Sequence, residues 1–308
     1  MHNKKGNPRL FLKVVVCFLL VAGLLFGSTI SGLAYDCDVK ELGNSNYRIL
    51  FTSDIHSKGH GLRRLNSYVK KMKKRGLGVV LIDAGDTFTS KSKPGNAEII
   101  EDSMNEIIPE MNKIGYSYCV PGNHEFTLTL GADRDFSPNR HNFDKSILYD
   151  SSQRLHAKSF ISNVSASKDA GQVTRDFFEN DVCKSVLIRA NKKGCNVGLI
   201  ALTTLSSKTR YEHSSMGAVS DLDFEEIDRQ DLKNKVNDLR EQGADSVGLI
   251  SHLRQSELDQ IRGIFDWNVN GHLHRRFINN EENFIQMGSE MDSVAEFDPQ
   301  TRTLRFLK

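Results

Sequence analysis

Five short polar blocks, each placed directly after an apolar run, constrain the fold of this chain more than any other feature. Each apolar run has the character of a buried strand, and each block opens the loop that follows it. Loops at the carboxyl ends of strands in an α/β sheet converge on one edge, where ligands bind. The sequence therefore predicts one site assembled from five loops. In chain order, the blocks are Asp54-Ile55-His56, Gly85-Asp86, Gly122-Asn123-His124-Glu125, Ser251-His252 and Gly271-His272-Leu273-His274.

Strand-like and helix-like patterns alternate between these blocks, which predicts an α/β fold in a single domain. The predicted strands are 47–52, 79–82, 116–120, 159–164, 246–250 and 267–270, with a hairpin at 186–204 and terminal strands near Phe284 and Leu304. The predicted helices run through 62–72, 96–114 with a kink at Pro109, and 223–242, with a short one near Glu257. Residues 127–157 lack apolar periodicity and are expected to form a loop excursion or a lid.

The N-terminus has the pattern of a secretory signal. Four basic residues precede an apolar run at 14–26, and small residues follow at 31–34. This pattern predicts a signal peptide at 1–34, a lead-in at 35–46 and the main domain at 47–308, so the protein is expected to be periplasmic or secreted. The alternative is an uncleaved membrane anchor, although the 13-residue run is shorter than the roughly 20 residues of a spanning helix.

The net charge limits the possible binding partners, and the cysteine content bears on possible disulfides. The chain has 41 basic and 39 acidic residues, and loss of 1–34 removes four basic residues and leaves a formal charge of −2. A near-neutral protein argues against a nucleic-acid polymer as partner, and no stable membrane insertion is expected after cleavage. The expected partner is a small molecule, while the oligomeric state is left open. Export permits disulfides among Cys37, Cys119, Cys183 and Cys195, but the sequence leaves their pairing open.

The five blocks are rich in metal-binding side chains. Carboxylate and amide oxygens together with imidazole nitrogens suit zinc, manganese, iron or cobalt better than calcium, and magnesium is possible. Two such ions about 3.5 to 4 Å apart would hold a bridging hydroxide that attacks a phosphoryl group. His124 has no required place among the ligands and is the candidate acid or charge stabiliser at the leaving group. The predicted ligands are Asp54, His56, Asp86, Asn123, His252, His272 and His274, with Asp86 as a bridge and catalytic residue.

The ordered blocks resemble those of the calcineurin-like metallophosphoesterases. Segments 52–56, 83–88 and 122–126, together with 197–204 and 249–253, are similar to the catalytic domain of bacterial 5′-nucleotidases. The resemblance implies a four-layer α/β/β/α sandwich that hydrolyses phosphomonoesters, with nucleotides as the expected substrates. It also implies the division of the ligands between two ions. Asp54, His56, Asp86 and His274 would hold one ion, and Asp86, Asn123, His252 and His272 the other.

Two departures from the nucleotidase pattern keep other functions open. Thr127 stands where those enzymes have an aspartate that orients the catalytic histidine, and Asp133 or Asp135 is a candidate replacement. The chain is also expected to lack the C-terminal nucleoside-binding domain. The alternatives are a phosphodiesterase, including one for cyclic nucleotides, a hydrolase of other oxoanion esters, or a metal-binding exported protein without catalysis.

Substrate contacts are predicted at four positions. Asn123 and His124 lie among the ligands, and Arg275 and Arg276 follow the last ligand directly. Guanidinium groups match phosphate oxygens, although a solvated arginine pair on a loop is the alternative for the latter two.

Overall fold

The computed structural model describes residues 37–89, 97–128, 141–191, 193–215 and 220–307. The predicted signal peptide, Asp133 and Asp135 lie outside the described residues. Within them, the strands are β1 (Cys37–Glu41), β2 (Tyr47–Thr52), β3 (Gly78–Asp83), β4 (Tyr118–Cys119), β5 (Lys158–Phe160), β6 (Val164–Ala166), β7 (Val182–Cys183), β8 (Ser185–Arg189), β9 (Val197–Thr203), β10 (Leu222–Phe224), β11 (Ser246–His252), β12 (Trp267–Asn270), β13 (Phe277–Asn279), β14 (Phe284–Gln286), β15 (Ala295–Asp298) and β16 (Thr303–Phe306). The helices are α1 (Leu62–Lys74), α2 (Ala97–Ile114), α3 (Ile147–Arg154), α4 (Gln172–Asn180), α5 (Ser206–Ser215), α6 (Arg229–Glu241) and α7 (Gln255–Gln260), with 3-10 turns at Gly59–Gly61 and Phe143–Lys145.

The strands form two large mixed sheets. The first sheet has the order β16-β15-β2-β3-β4-β5-β7, and its strands from β2 to β7 are parallel. The second sheet has the order β1-β8-β9-β11-β12-β14-β13, with a parallel centre from β9 to β14. A small antiparallel pair, β10 with β6, lies outside both sheets. The parallel centres matter for function because their carboxyl ends carry all five polar blocks.

The two sheets pack face to face, and helices cover their outer faces. Between the sheets, Phe51 of the first sheet lies against Trp267 of the second, and Trp267 stacks on Phe297 with ring centroids 4.2 Å apart. Helices α1 and α2 pack on the outer face of the first sheet, and α6 and α7 on that of the second. Alternate residues of a buried strand face opposite layers, so each central strand contributes to two apolar clusters. The predicted α/β/β/α sandwich is confirmed.

Two predicted elements differ in the structure. The predicted strand 159–164 is two short strands, β5 and β6, in different sheets. The predicted helix 223–242 begins later, because the carboxylate of Asp228 caps α6 by accepting hydrogen bonds from the backbone N–H groups of Gln230 (2.6 Å) and Asp231 (3.2 Å). Residues Leu222–Phe224 before it form a strand instead.

Part of the segment predicted as a loop excursion is regular and buried. Ser146 caps α3 by accepting a hydrogen bond from the backbone N–H of Tyr149 (3.0 Å), and Phe143, Ile147 and Leu148 are buried. A two-turn helix offers too few repeats for its apolar spacing to stand out in a sequence. The same reason explains why the sequence did not predict α4 and α5. The lead-in also contains a strand, β1, which pairs in parallel with β8.

Cysteine and membrane expectations can be compared with the described residues. The four cysteines there, Cys37, Cys119, Cys183 and Cys195, are free thiols. Among the helices that the structure describes, none combines the length and the apolar character needed to cross a bilayer.

Candidate metal centre

The five blocks meet at the carboxyl ends of five strands. Asp54, Asp86 and Asn123 lie in the loops after β2, β3 and β4 of the first sheet. His252 ends β11 of the second sheet, and the pair His272 and His274 follows β12. The first sheet thus contributes the oxygen donors, while the second contributes only imidazoles. Six of the seven predicted ligands form two overlapping groups, which share Asp86: Asp54, His56, Asp86 and His274 in one, and Asp86, His252 and His272 in the other.

The first group is compact and largely buried. Nε2 of His274 lies 2.9 Å from Oδ1 of Asp54 and 3.0 Å from Nε2 of His56. Asp54 and His56 are buried, whereas the His274 side chain is 34% exposed. Ligand atoms of all four residues lie within 4.8 Å of one another, which is close enough for a single ion to be shared.

The second group lies on the other side of Asp86. Nε2 of His252 is 3.2 Å from Oδ2 of Asp86 but makes no hydrogen bond. The rings of His252 and His272 are neighbours, with centroids 5.0 Å apart. Asn123 completes this side, because its Oδ1 is buried without a hydrogen-bond partner. A buried oxygen without a hydrogen-bond partner is costly, and a metal ion would satisfy both this oxygen and Nε2 of His252.

Most of the predicted ligands have a left-handed backbone conformation. Such backbone angles cost non-glycine residues of the order of 1–3 kcal/mol each and occur mainly at functional sites. The strain is therefore concentrated where the ligand side chains must converge. The φ angles are 52° at Asp54, 48° at His56, 57° at Asp86, 73° at His272 and 54° at His274.

Two motif glycines allow the loops of the first sheet to approach one another. A Cβ atom on Gly122 would lie 2.3 Å from Oδ1 of Asp86, and one on Gly85 would lie 2.4 Å from the backbone nitrogen of Gly122. Gly85 also has a φ of 96°, which disfavours a side chain in any case. A side chain on Gly122 would displace Asp86, and one on Gly85 would displace the backbone of Gly122.

A buried carboxylate ties the first-sheet loops together. Glu125 accepts hydrogen bonds from the backbone N–H groups of Asp86 (2.9 Å), Thr87 (2.8 Å) and Gly122 (2.8 Å). Burial and the charge of Asp86 raise the pKa of Glu125, and the backbone hydrogen bonds partly oppose that rise. The residue belongs to a predicted block, yet the sequence did not indicate this positioning role, since its partners are backbone groups of another loop.

A carboxamide has the corresponding position in the second sheet. Asn270 accepts from the Ser251 hydroxyl (2.7 Å) and the Leu253 N–H (2.9 Å). Its amide group donates to the carbonyls of Leu253 (3.0 Å) and Gly271 (2.6 Å) and to the Gln286 side chain (2.8 Å). These contacts join the loops that carry His252 and His272.

Further hydrogen bonds orient individual ligands. Nδ1 of His56 lies 3.1 Å from the carbonyl of Thr89, and Nδ1 of His252 lies 2.7 Å from that of Ala84. Donation from Nδ1 leaves Nε2 of each ring directed towards the centre as a ligand atom. The hydroxyl of Ser53 donates to Oδ2 of Asp54 at 2.5 Å.

Charges within the centre shift several pKa values. Burial alone would raise the pKa of Asp54, but hydrogen bonds from His274 and His56 lower it to about 2. Burial is likewise outweighed at Asp86, whose pKa falls because of His252 in particular. The same contact raises the pKa of His252 to about 10 against the effect of burial. Both carboxylates are therefore ionised and available to bind cations.

His124 lies beside the shared carboxylate. Its Nε2 is 3.8 Å from Oδ2 of Asp86, and its backbone N–H donates to Oδ1 of Asp86 at 2.9 Å. Nδ1 of His124 and the hydroxyl of Thr127 are both buried, and neither has a hydrogen-bond partner among the described residues, which exclude Asp133 and Asp135. Thr127 therefore does not replace the aspartate that would orient the histidine ring. The catalytic role of His124 stays a prediction.

The structure gives contacts for one of the two predicted substrate arginines. Arg275 is exposed, and the guanidinium of Arg276 lies 4.5 Å from the centre of the Phe306 ring. Arg276 lines a separate cleft with Arg63 and Arg64. Their role in substrate contact stays a prediction.

The donor set fits two metal ions. It offers two carboxylates, four imidazoles and one carboxamide oxygen, divided into two groups about Asp86. This combination suits borderline divalent ions such as zinc, manganese, iron or cobalt. These features define a metallophosphoesterase with a buried Asp/His metal site. Comparison of the chain with known proteins supports this class.

A family model for calcineurin-like phosphoesterases matches residues 47–276. The chain belongs to this family. No curated protein matches the chain.

Three solved structures have a similar fold. NAD nucleotidase (NadN) from Haemophilus influenzae has a TM-score of 0.57 and 17% identity, and the match covers 87% of this chain and 50% of that protein. A putative 5′-nucleotidase from Staphylococcus aureus has a TM-score of 0.57 and 16% identity, covering 86% of this chain and 53% of that one. The calcineurin-like phosphoesterase YfkN from Bacillus subtilis has a TM-score of 0.56 and 16% identity, covering 86% and 89%. The chain thus spans about half the length of the first two.

Proposed function

We propose that this protein is an exported dimetal phosphomonoesterase, with nucleotides as the first substrates to test. One observation carries the proposal: two groups of ligand side chains converge on Asp86, whose carboxylate belongs to both. A carboxylate with two oxygens is suited to hold two ions at the short separation that phosphoester hydrolysis requires.

The residues of the chain have separate tasks in this proposal. Bound ions supply Lewis-acid chemistry, lowering the pKa of water and neutralising charge on the phosphoryl group. Asp54, Asp86 and the imidazoles hold and orient the two positions, while Glu125 fixes the loops that carry them. His124 borders Asp86, and this position supports its proposed role as hydrogen-bond donor to the oxygen of the leaving group.

One observation favours a second candidate, a metal-binding protein without catalysis. Within residues 37–89, 97–128, 141–191, 193–215 and 220–307, no hydrogen bond fixes the ring of His124, because neither its Nδ1 nor the Thr127 hydroxyl has a hydrogen-bond partner there. A ring without such a partner is less well oriented for catalysis. Metal-dependent multiple turnover that His124→Ala abolishes would reject this candidate.

The first experiment is phosphate release by the purified protein after loading with zinc, manganese or magnesium. The substrates are an aryl phosphate, several nucleoside monophosphates and diphosphates, and a bis-aryl phosphodiester. Metal-dependent hydrolysis of monoesters that is lost in Asp86→Asn would support the proposal. Turnover of the diester alone would replace it with a phosphodiesterase, and unchanged hydrolysis in Asp86→Asn would refute it.

Export is the part of the proposal that rests on the N-terminal sequence alone. Expression of the full chain in its host and fractionation of the cells would test it. We expect the protein in the periplasm or the medium, shortened by about 34 residues, the length of the predicted signal peptide. Full-length protein retained in the membrane fraction would favour the anchored alternative.

A further inference from the structure

A cleft of about 930 Å³ opens beside the second ligand group. Asn123 and His272, two of the predicted ligands, form part of its wall. Arg210 of α5 and Arg254, two residues after His252, also line it. A ligand in this cleft would therefore contact the metal centre and two guanidinium groups together.

Both arginines are available to a ligand. Arg210 is partly exposed and Arg254 is exposed. Within the part of the chain that the structure describes, neither guanidinium forms an ion pair with a carboxylate. Two guanidinium groups that line one cleft can offer charge-assisted hydrogen bonds to an anionic ligand.

The remaining walls of the cleft are polar rather than aromatic. Among the described residues, its lining includes Ser206, Thr209 and Ser214 of α5 but no phenylalanine, tyrosine or tryptophan. The hydroxyl of Thr127, on a side chain that is 9% exposed, also lines the cleft without a hydrogen-bond partner. Stacking of a nucleobase needs a flat ring, whereas binding of phosphate oxygens needs donors of this kind.

We propose that Arg210 and Arg254 bind a second phosphate on the leaving group, so that the preferred substrate has a terminal phosphoryl group joined to another phosphate, as in a nucleoside diphosphate. Water adds to the terminal phosphorus, the P–O–P bond breaks, and inorganic phosphate and the nucleoside monophosphate are the products. This inference rests on the proposed function and names its substrate class. The reacting phosphoryl group lies at the metal centre, and the second phosphate lies in the cleft. Arg210 and Arg254 are then residues that determine specificity.

The test compares AMP with ADP as substrates for the metal-loaded protein. We expect kcat/KM for ADP to exceed that for AMP by at least about tenfold. Each of Arg210→Gln and Arg254→Gln should lower the ADP value about 10- to 100-fold, as loss of a charge-assisted hydrogen bond predicts. The AMP value should change less than about threefold. Lys208→Gln on the same helix, which removes an exposed charge outside the cleft, should leave the preference unchanged.

A binding measurement separates this inference from the proposed function. Calorimetry of the metal-loaded protein with the α,β-methylene analogue of ADP requires no turnover, because a P–C bond replaces the P–O bond that would break. Affinity that falls about tenfold or more in both arginine variants, but not in Lys208→Gln, supports the cleft assignment even if no substrate is hydrolysed. Affinity that is unchanged in the arginine variants overturns it. Equal losses of kcat/KM for AMP and ADP also overturn it, because the arginines would then bind the reacting phosphoryl group.

Discussion

In each sheet, one buried polar side chain joins the loops that carry the metal ligands. This side chain is a carboxylate, Glu125, in the first sheet and a neutral carboxamide, Asn270, in the second. In the first sheet, the carboxylate of Glu125 accepts backbone N–H groups from neighbouring loops. In the second, the carboxamide of Asn270 both donates and accepts. The loops of the first sheet present N–H groups to their tie, whereas those of the second present mainly carbonyls. Whether the loops offer backbone N–H or C=O groups therefore decides which side chain can join them.

The difference also has an electrostatic consequence. Glu125 adds negative potential close to Asp86, on the side of the site that has the oxygen ligands. Asn270 leaves the imidazole side without added charge. We therefore expect changes at Glu125 to affect both stability and metal affinity, and changes at Asn270 to affect mainly stability.

The largest loss of activity is expected for a change at Asp86, which belongs to both ligand groups. Asp86→Asn keeps the size of the side chain but removes the charge and one acceptor oxygen shared by both ligand groups. Loss of several kcal/mol of transition-state stabilisation corresponds to at least about a 1000-fold fall in kcat/KM. Phosphate release and metal content per chain would be measured together. Two tightly bound ions per chain in the variant would show that Asp86 is not the bridge.

Glu125→Gln tests the first-sheet tie. One amide oxygen replaces two carboxylate oxygens, so that the new NH₂ group faces backbone donors that it cannot satisfy. We expect a loss of about 2–4 kcal/mol in the free energy of unfolding and about 10- to 100-fold weaker metal binding. Urea denaturation and metal titration would measure these losses. The matched change Glu110→Gln, on a surface side chain of α2 paired with Lys113, should have little effect on either.

Asn270→Asp is the reciprocal change in the second sheet. The new carboxylate oxygen would face the carbonyls of Leu253 and Gly271, to which the amide now donates. We expect a loss of about 2–3 kcal/mol in unfolding free energy at neutral pH, with no loss of metal affinity, because the introduced negative charge attracts cations. Protonation of the introduced carboxylate would restore a donor, so its pKa is raised in the folded protein and the loss should diminish as the pH falls.

Urea denaturation at several pH values would measure this effect, with the exposed change Asn234→Asp as control. A metal affinity reduced as far as in Glu125→Gln would remove the distinction between the two ties.

Ser53→Ala should have the smallest effect. It removes the hydrogen bond to Oδ2 of Asp54, but the backbone N–H of His272 still donates to the same carboxylate at 3.1 Å. We expect metal binding to weaken about three- to tenfold and stability to fall by about 1 kcal/mol. The exposed Ser67→Ala serves as control in the same titrations. A loss of metal affinity as large as that in Glu125→Gln would mean that the hydrogen bond to a single ligand matters as much as the loop contacts of Glu125.

The sequence predicted the central strands and the ligand groups better than it predicted the cleft. Strands 47–52 and 267–270 have the observed bounds, because each contains β-forming apolar or aromatic residues and is followed directly by a polar, glycine-containing loop. The same regularity placed the ligands at one edge. In contrast, α5 consists mainly of polar residues without an apolar period, so that nothing in the sequence indicated its helix.

Adjacency along the chain was also a weak guide to substrate contacts. Arg275 and Arg276 follow a ligand directly, yet Arg276 packs on Phe306. Arg210 is more than 30 residues from any predicted ligand in sequence, but α5 places it in the cleft. Which arginine reaches the site depends on tertiary packing, which short sequence patterns do not record.

At the ligand positions, the left-handed backbone creates a conflict between thermal stability and activity. Glycine tolerates positive φ without the steric penalty that Asp54, Asp86 or His274 incurs. A glycine at any of these positions would relieve local strain while removing a metal ligand. A directed-evolution screen for thermal stability alone would therefore be expected to enrich inactive variants. Such a screen needs a selection for activity in every round.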